Sequence, residues 1–523
     1  MPISIIISRP LQWTGLVLLL AVLSLLAPVA QAATITVTTT DDEVNSDGDC
    51  SLREAIIAAN TNTVTDACPA GSATGSDTIV LPAGTYDLTL AGLNENAAQT
   101  GDLDLSSSLT IAGAGRANTI IDANGLDRVF HIALTGGVQI SDLTLRGGDP
   151  GSSELGGGIW LVGGDLTVSN SRITANTAWR GGGLMVEADG PSNGATIINS
   201  RITDNTAETG GGLYLTQNSA TLINSFVSGN TASGSITGSS GGGLRSASEG
   251  VLTLINSTVS GNSADVHGGG IHTDNETHLY NVTVASNTGS ANSGSGGDGG
   301  GVSVGSSGTL TARNSLIADN AENGGGTPDC SGSLTGEGYN LIENTTGCII
   351  SGDTTGNVTG LAPNLGPLQG NGGSTQTHAL LAGSPAIDAG NPTGCLDPAG
   401  IALTTDQRGY ARNGVCDIGA YEYNSPGVAT ATPTATATQT STATHTPTAT
   451  HTATATATRT PTHTPTMTGT APAESPTASA TPTAPGTVVT GTSPTPTTDP
   501  EEGSPVTPTP TAAHQVYLPL IQK

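Results

Sequence analysis

Two asparagines six residues apart recur along the middle of the chain, and this repeat constrains the fold more than any other feature. Ile or Val stands three residues after the first asparagine of every pair, and successive first asparagines are 25 to 33 residues apart. The pairs lie at 170/176, 199/205, 224/230, 256/262, 281/287 and 314/320, and triple glycines precede or separate them at 156–158, 181–183, 210–212, 241–243, 268–270 and 299–301. A repeat of this length without a helical period predicts the coils of a parallel β-helix.

The second asparagine of each pair is predicted to build a ladder along the stack. Apolar residues alternate with polar ones within the units, as at Leu166 and Val168, so the strands should face a narrow aliphatic core. Asparagines at equivalent turns of successive coils then bond amide to amide, and the glycines allow a positive φ where the chain turns back. The predicted ladder is Asn176, Asn205, Asn230, Asn262, Asn287 and Asn320. A calcium-binding nonapeptide roll would need Gly-Gly-x-Gly-x-Asp repeats, which the sequence lacks.

The two ends of the chain differ in composition from the repeats. Residues 1–32 combine a basic start, an apolar run and a small-x-small end, which predicts a cleaved secretory signal. An uncleaved anchor is the alternative, although the run is short for one. Residues 425–512 are mostly Thr, Pro and Ala, a composition that predicts a disordered stalk. Residues 513–523 follow the stalk and are predicted to form a short apolar tag. No later stretch reaches about 18 apolar residues, so no transmembrane helix is expected in the mature chain.

The segments between these ends are predicted to form one capped solenoid. An open solenoid end must be covered, and residues 33–76 supply a cap, because Ser51 and Glu54 form a capping box ahead of apolar residues at helical spacing. The β-helix repeats are predicted to span residues 77–380. Residues 381–424 are predicted to form the C-terminal cap.

Charge and cysteine content restrict the partners and the compartment. Lys and Arg number 14 against 42 Asp and Glu, which gives a net charge of −28, and the single lysine is the last residue. Phosphate binding needs clustered cations, so no nucleic acid partner is expected. Six cysteines in an exported chain predict disulfides, although many connectivities are open. The sequence-local pairing joins Cys50 to Cys68, Cys330 to Cys348 and Cys395 to Cys416.

Three motifs resemble those of exported bacterial β-helix proteins. Cys50-Ser-Leu-Arg-Glu-Ala-Ile56 resembles the signature of the CSLREA domain, and the repeat units are similar to the polymorphic outer membrane protein repeat, with Ile or Val where that family often has Phe and Gly where it often has Ala. Residues 384–390, 406–409 and 417–422 resemble the C-terminal block of choice-of-anchor Q proteins. The resemblance covers residues 41–423 and implies an all-β, right-handed, single-stranded, pectin-lyase-like β-helix on a secreted or cell-surface protein. It implies no reaction, because this architecture hosts lyases, hydrolases and adhesins alike.

Two outward columns of side chains are candidates for ligand binding. The residues two positions past each triple glycine are predicted to form one exposed stripe: Trp160, Met185, Tyr214, Arg245, His272 and Ser303. Two arginines, Arg172 and Arg201, each follow a first asparagine by two positions and should lie about 4.8 Å apart on successive coils. One interpretation is a solvated face with local ion pairs, and the other is a groove for an anionic glycan. The candidate binding residues are Trp160, Arg172, Glu187, Arg201, Asp204 and Tyr214.

Catalytic residues have less support in the sequence. A polysaccharide lyase would need a base and a carboxylate cluster that holds calcium, and a glycosidase would need two or three carboxylates on adjacent coils. No dense Asp cluster is apparent within the repeats. His267, His272 and His278 lie close together in the sequence, but without an evident carboxylate partner they are more typical of surface residues.

The sequence therefore assigns no catalytic or metal-binding residue, and calcium is the one cofactor considered. Asn45, Asp47 and Asp49 alternate like part of a calcium loop, and a turn before the cap helix explains them equally well. We expect a secreted or cell-surface protein that acts in adhesion or display and binds extracellular polysaccharide weakly if at all. The alternative is a polysaccharide lyase or glycoside hydrolase that acts on an acidic polysaccharide, so the question of enzymatic activity stays open.

Overall fold

The structure is a computed structural model that describes residues 32–93, 95–187, 194–234, 238–290 and 298–425. The chain divides into two compact units, Met1–Val428 and Ala429–Lys523, and all described residues belong to the first. The predicted signal, apart from its last residue, lies outside the described residues, as do the predicted tag and the predicted stalk beyond Ser425. No helix among the described residues is long and apolar enough to cross a membrane.

Parallel strands in four sheets wind into a β-solenoid, as the repeat predicts. Sheet 1 contains Thr34–Thr36, Asp77–Val80, Leu109–Ala112, Gly137–Ser141, Asp165–Ser169, Gly194–Ile198, Ser219–Ile223, Val251–Ile255, Glu276–Tyr280, Thr309–Arg313, Cys330–Glu337 and Cys348–Asp353. Sheet 2 contains Gly84–Asp87, Thr119–Asp122, Thr144–Arg146, Arg172–Thr174, Arg201–Thr203, Phe226–Ser228, Thr258–Ser260, Thr283–Ala285, Leu316–Ala318, Leu341–Ile342 and Val358–Thr359.

The two remaining solenoid sheets complete each coil. Sheet 3 contains Thr177–Arg180, Thr206–Thr209, Thr231–Ala232, Ser263–Ala264, Thr288–Gly289 and Ala321–Glu322. Sheet 4 contains Leu103–Leu105, Phe130–Ile132, Ile159–Leu161, Leu184–Val186, Leu213–Leu215, Leu244–Ser246, Ile271–Thr273, Val302–Val304 and the first residues of Cys330–Glu337, through which it joins sheet 1. Each coil runs from sheet 4 to sheet 1, then to sheet 2 and, in the central coils, to sheet 3. Among the described residues about nine coils are complete.

The two asparagines of each repeat have different tasks. The first lies at the corner between sheets 1 and 2 with φ between 45° and 57°, a left-handed conformation that asparagine tolerates better than most residues. The second points inward, and its side-chain Nδ2 donates to the Oδ1 of the equivalent asparagine in the next coil at 2.9 Å. The last, Asn320, donates instead to Asp329 Oδ1 at 2.9 Å. The predicted ladder is therefore confirmed.

The triple glycines let successive coils approach closely. The first glycine of each triple has φ between 61° and 73°, where an L side chain is strained. A Cβ on the second glycine of the 181–183 triple, Gly182, would lie 2.4 Å from Thr206 O and 2.6 Å from Gly211 O. Any side chain at that position would push the neighbouring coil away.

The N-terminal cap contains the helix, Leu52–Thr61, and confirms the predicted capping box of Ser51 and Glu54. Arg53 is fully buried, and its Nε donates to Asp42 Oδ1 at 2.6 Å. The same guanidinium also donates to three backbone carbonyls, those of Ala98, Gly101 and Asp102. Arg53 thereby joins the cap helix to the chain that enters the first complete coil.

A C-terminal segment, residues 365–425, packs along the outer face of sheet 2. It contains one antiparallel strand pair, Leu365–Gln369 and Thr377–Leu380. Thr258 on sheet 2 donates to Gln407 Oε1 at 2.6 Å, and Ala420 N donates to Thr283 Oγ1, on the next coil, at 3.1 Å. The C-terminal segment therefore covers part of the predicted outward column that contains Arg172 and Arg201, with which Thr258 and Thr283 are in register.

All three sequence-local disulfides are present. They join Cys50 to Cys68, Cys330 to Cys348 and Cys395 to Cys416. The third lies within the residues that were predicted to cap the C-terminal end, 381–424, and these residues contact the side of the solenoid through sheet 2. For example, Asn314 Nδ2 lies 2.8 Å from Cys395 Sγ.

Candidate functional site

The outer face of sheet 4 carries a column of side chains in register, most of them polar or aromatic, called here the sheet 4 column. The predicted stripe is in register, and the column begins two coils earlier than predicted: Asp104, His131, Trp160, Met185, Tyr214, Arg245, His272 and Ser303. The expected exposure is wrong, because Met185 is 1% exposed and Tyr214 and His272 are each 6% exposed. Outward side chains stack along the solenoid axis, as where His131 lies 4.8 Å from Trp160 between ring centroids.

An open cavity of about 480 Å³ interrupts this column in its C-terminal half. The side chains that matter for its chemistry are Arg245, His267, His272, Asp274 and Asp298. Arg245 and His272 each stand two residues past a triple glycine and are paired in adjacent strands. Asp274 follows the strand of His272 directly, so the repeat itself brings a cation, an imidazole and a carboxylate together.

Two buried atoms in the cavity have no hydrogen-bond partner among the described residues. Arg245 donates through Nη2 to Asp274 Oδ2 and through Nη1 to Ser246 O, but its Nε is unpartnered. His272 Nε2 lies 3.5 Å from Asp274 Oδ1, but its Nδ1 is unpartnered. Burying a polar atom without a partner costs about 1–3 kcal/mol. Six other buried side-chain atoms of the described residues also lack a partner, among them Arg313 Nε and His278 Nδ1, and of the eight only these two belong to side chains that line the cavity.

The electrostatics of the cavity keep its carboxylate charged and its imidazoles neutral. The hydrogen bond from His272, together with Arg245, holds the pKa of Asp274 well below its usual range. Burial lowers the pKa of His272 to about 4. Burial also lowers the pKa of His267, whose ring stacks on His272 with centroids 5.5 Å apart and whose Nδ1 accepts from Asp298 N at 3.2 Å. At neutral pH the cavity thus holds one ion pair and two neutral rings.

The three histidines grouped by the sequence separate in the structure. His267 and His272 share the cavity, and the carboxylate that the sequence did not reveal is Asp274. His278 lies on sheet 1, where its Nε2 is 3.0 Å from Glu276 Oε1 and its ring stacks on Tyr280. A His-x-Asp pattern directly after a triple glycine was the available signal for this site.

The predicted arginine pair is adjacent but already bonded within the protein. Arg172 and Arg201 are paired in neighbouring strands of sheet 2, as expected. Arg172 donates to Thr203 Oγ1 at 3.1 Å and to Asp204 Oδ2 at 3.3 Å. Arg201 donates through Nε and Nη2 to the carbonyl oxygen of Ser374, in the C-terminal segment. These contacts favour the interpretation of local pairing over that of a groove for anions.

The other candidate binding residues lie on a different face. Trp160 and Tyr214 belong to the sheet 4 column, and Trp160 Nε1 donates to Glu187 Oε2 at 3.2 Å. Glu187 is therefore a partner of the tryptophan. The candidate set divides into a sheet 2 group, with Arg172, Arg201 and Asp204, and a sheet 4 group.

A dense acidic cluster lies at the N-terminal end of the sheet 4 column, contrary to the sequence analysis. Asp102 accepts from Arg128 Nη1 at 2.6 Å, and Asp104 Oδ1 lies 2.9 Å from His131 Nδ1. Burial raises the pKa of Asp102 to about 7, and the nearby Asp127 adds to this effect. Among the described residues no buried polar side-chain atom of this cluster lacks a partner. The first coils carry no triple glycine that would mark the column in the sequence, so the repeat does not reveal this cluster.

The loop before the cap helix also concentrates carboxylates. Glu43, Asp47 and Asp49 can each place one oxygen within 4.8 Å of the others, and Asn45 Nδ2 donates to Glu43 Oε2 at 2.6 Å. Partial burial and mutual repulsion raise the pKa values of Glu43 and Asp49. Oxygen ligands of this kind suit calcium, and calcium at this loop stays a prediction.

Comparisons with known proteins assign no function to this chain. No family model matches this chain, and no curated protein matches it. Among solved structures the pectate lyase Pel9A matches with 15% sequence identity and a TM-score of 0.40, covering 76% of this chain and 98% of that chain. The resemblance to CSLREA and choice-of-anchor Q proteins stays a prediction.

Proposed function

We propose that this protein is an extracellular β-helix protein that binds a polysaccharide in the sheet 4 cavity and displays that site at a cell surface. The observation that carries the proposal is that Arg245 and His272, two side chains that line an open cavity, each have a buried polar atom without a partner, Nε and Nδ1 respectively. A ligand with hydroxyl groups would satisfy both atoms. Polysaccharides are the hydroxyl-rich polymers that an exported surface protein encounters.

The chemistry of the cavity supports binding more than catalysis. General acid catalysis of glycoside cleavage needs a protonated carboxyl with a raised pKa. Asp274 has the opposite property, because His272 and Arg245 hold its carboxylate in the ionised form. The cavity is therefore better suited to recognising a sugar than to hydrolysing a glycosidic bond with Asp274 as the general acid.

Export and display rest on features of the sequence together with the disulfides. Three disulfides suit an oxidising compartment. The signal, stalk and tag lie outside the described residues, and they support secretion and surface association through their composition alone. A stalk rich in Thr and Pro would hold the solenoid away from the surface.

A second candidate function is hydrolysis or elimination at the acidic cluster of Asp102, Asp104 and His131. The observation that favours it is the pKa of Asp102, which burial raises to about 7, near the value of an efficient general acid. Against it stand the complete hydrogen bonding of the cluster and the low exposure of Asp102 and Asp104, whose side chains are 3% and 4% exposed. Such burial is typical of a structural ion network.

The test is retention of the secreted full chain on a panel of immobilised neutral and acidic polysaccharides. We expect retention on at least one polysaccharide, its loss in His272→Phe, and no change in the matched control His278→Phe, which alters a histidine of the same coil outside the cavity. The same samples are assayed for unsaturated products and reducing ends, and we expect neither. Retention on no polysaccharide would refute the proposal, and product formation that Asp102→Asn abolishes would establish the second candidate.

A further inference from the structure

We infer that the sheet 4 cavity selects an uncharged sugar residue, one hydroxyl of which bridges Arg245 and His272, and that it rejects uronic acids. The inference rests on the proposed function and adds the class of ligand. It departs from the acidic glycan that the sequence suggested. Three features of the cavity carry it: the hydrogen-bonding character of the two unpartnered atoms, the balance of charge around them, and the rigidity of the two side chains.

The two unpartnered atoms have opposite hydrogen-bonding roles. Asp274 is ionised, so the His272 nitrogen that faces it, Nε2, carries the ring proton, and Nδ1 presents a lone pair. Arg245 Nε always carries a proton and can only donate. A hydroxyl accepts from one group and donates to the other at the same time, whereas a carboxylate only accepts. A carboxylate would therefore leave His272 Nδ1 facing a second lone pair.

The charge in the cavity also opposes an anionic ligand. Asp274 already neutralises the guanidinium of Arg245, and Asp298 lines the cavity with a further negative charge. Protonation of His272 would add a positive charge that could balance an anion, but the surroundings of the ring disfavour protonation. The ring is 6% exposed and stacks on His267 near Arg245, and this burial lowers the pKa of His272 to about 4. A neutral ligand needs no such change.

The cavity is also built before any ligand arrives. His272 lies on the strand Ile271–Thr273, and Arg245 lies on Leu244–Ser246, which pairs with it. Ring stacking and two contacts to Asp274 fix both side chains. A rigid donor and acceptor lose little conformational entropy on binding and discriminate well between a hydroxyl and a group that only accepts.

The experiment compares matched neutral and uronic hexasaccharides by isothermal titration calorimetry with the secreted full chain. The pairs are mannohexaose with hexamannuronate and cellohexaose with hexaglucuronate. In each pair the neutral member carries a hydroxymethyl group where the uronic member carries a carboxylate. They are supplemented by matched neutral and uronic members for each polysaccharide that retains the protein. We expect the neutral member of a bound pair to bind at least about tenfold more tightly, equivalent to about 1.4 kcal/mol. Tighter binding of the uronic member would overturn the inference and leave the proposed function standing. Binding of no member, after no retention on any polysaccharide, would refute the proposed function itself.

Two variants test the inference in opposite directions. His272→Phe keeps an aromatic ring in the stack but removes the acceptor, so affinity for the neutral hexamer should fall about tenfold, while His278→Phe should leave it unchanged. Asp274→Asn keeps an oxygen that accepts from His272 Nε2 but frees the charge of Arg245, so the preference for the neutral member should shrink or reverse. An unchanged preference in Asp274→Asn, with the melting temperature retained, would contradict the role assigned to charge balance.

Discussion

Replacing one ladder asparagine with leucine measures how much the ladder stabilises the stack. Asn230 is fully buried, and its amide makes four hydrogen bonds: Nδ2 donates to Ile202 O and to Asn262 Oδ1, each at 2.9 Å, and Oδ1 accepts from Asn205 N at 3.0 Å and from Asn205 Nδ2 at 2.9 Å. Leucine has the same branching and the same number of side-chain heavy atoms, so Asn230→Leu removes the bonds without leaving a cavity, although its methyl groups are bulkier than the amide.

The expected loss follows from these contacts. Four hydrogen bonds at about 1 kcal/mol each outweigh the roughly 1.5–2 kcal/mol that burial of a leucine side chain returns. The backbone N–H of Asn205 also loses its side-chain acceptor in a buried turn. We therefore expect the free energy of unfolding to fall by about 2–3 kcal/mol.

Urea unfolding followed by far-UV circular dichroism provides the measurement, with Thr221→Ala as the control. Thr221 points outward from sheet 1 and is only partly buried, so its truncation should change the free energy of unfolding by less than about 0.5 kcal/mol. If the two variants shift the urea midpoint equally, the ladder does not contribute the stability argued here. A changed m-value in Asn230→Leu would point to altered cooperativity between coils.

Two further predictions concern the cap and the pH dependence of stability. Arg53→Met removes the cation from the Asp42 carboxylate, which is 3% exposed and keeps the backbone N–H groups of Thr89 and Leu90 as donors, so the free energy of unfolding should fall by about 3–5 kcal/mol. Arg146→Met, at a pair whose arginine is 37% exposed, should cost less than about 1 kcal/mol. Equal losses in urea unfolding would contradict a cap held by Arg53. Burial lowers the pKa of His272 from 6.5 to about 4. Between these pH values His272 is protonated in the unfolded chain but neutral in the folded one. The free energy of unfolding should therefore fall as the pH falls from about 6.5 to about 4, by at most about 1.4 kcal/mol per pH unit. Unfolding measured across this range should show a shallower loss for His272→Phe than for the wild type, and parallel curves would refute the assignment.

The sequence was sufficient to predict the coil stack because local periodicity alone determines it. The Asn176 to Asn320 ladder and the adjacency of Arg172 and Arg201 follow from the spacing of the repeat, and the capping box follows from the spacing within one short segment before it. These features need no knowledge of which distant segment packs against which face.

The covered face of sheet 2 could not be predicted in the same way. Thr258 occupies an outward position by register but is fully buried, because Gln407 reaches it from the C-terminal segment. The two residues are 149 positions apart, and no repeat relates them. The guanidinium of Arg201 donates to the carbonyl oxygen of Ser374, in the same C-terminal segment, and the repeat could not predict this contact either. A protein carbonyl therefore lies where an anion site was one of the two interpretations.

The cavity was only partly predictable. The stripe that contains Arg245 and His272 follows from register, but the consequence of stacking does not. Outward side chains on neighbouring coils bury one another, so the stripe that was expected to be exposed is largely buried. The cavity is a gap in this sheet 4 column. The gap at His272 depends on the shape of its neighbours, Ser303 and Asp274, which periodicity does not encode.

The positions of the disulfides bear on how the molecule would come apart. Every cysteine lies before residue 69 or after residue 329, so the central coils have no covalent crosslink. An inner coil is held by a neighbour on each side, while the first and last coils have one neighbour and are the places where a linear stack frays. Two of the crosslinks, Cys50–Cys68 and Cys330–Cys348, thus reinforce the two ends from which unravelling would start, and a protease would meet cross-linked ends rather than free ones.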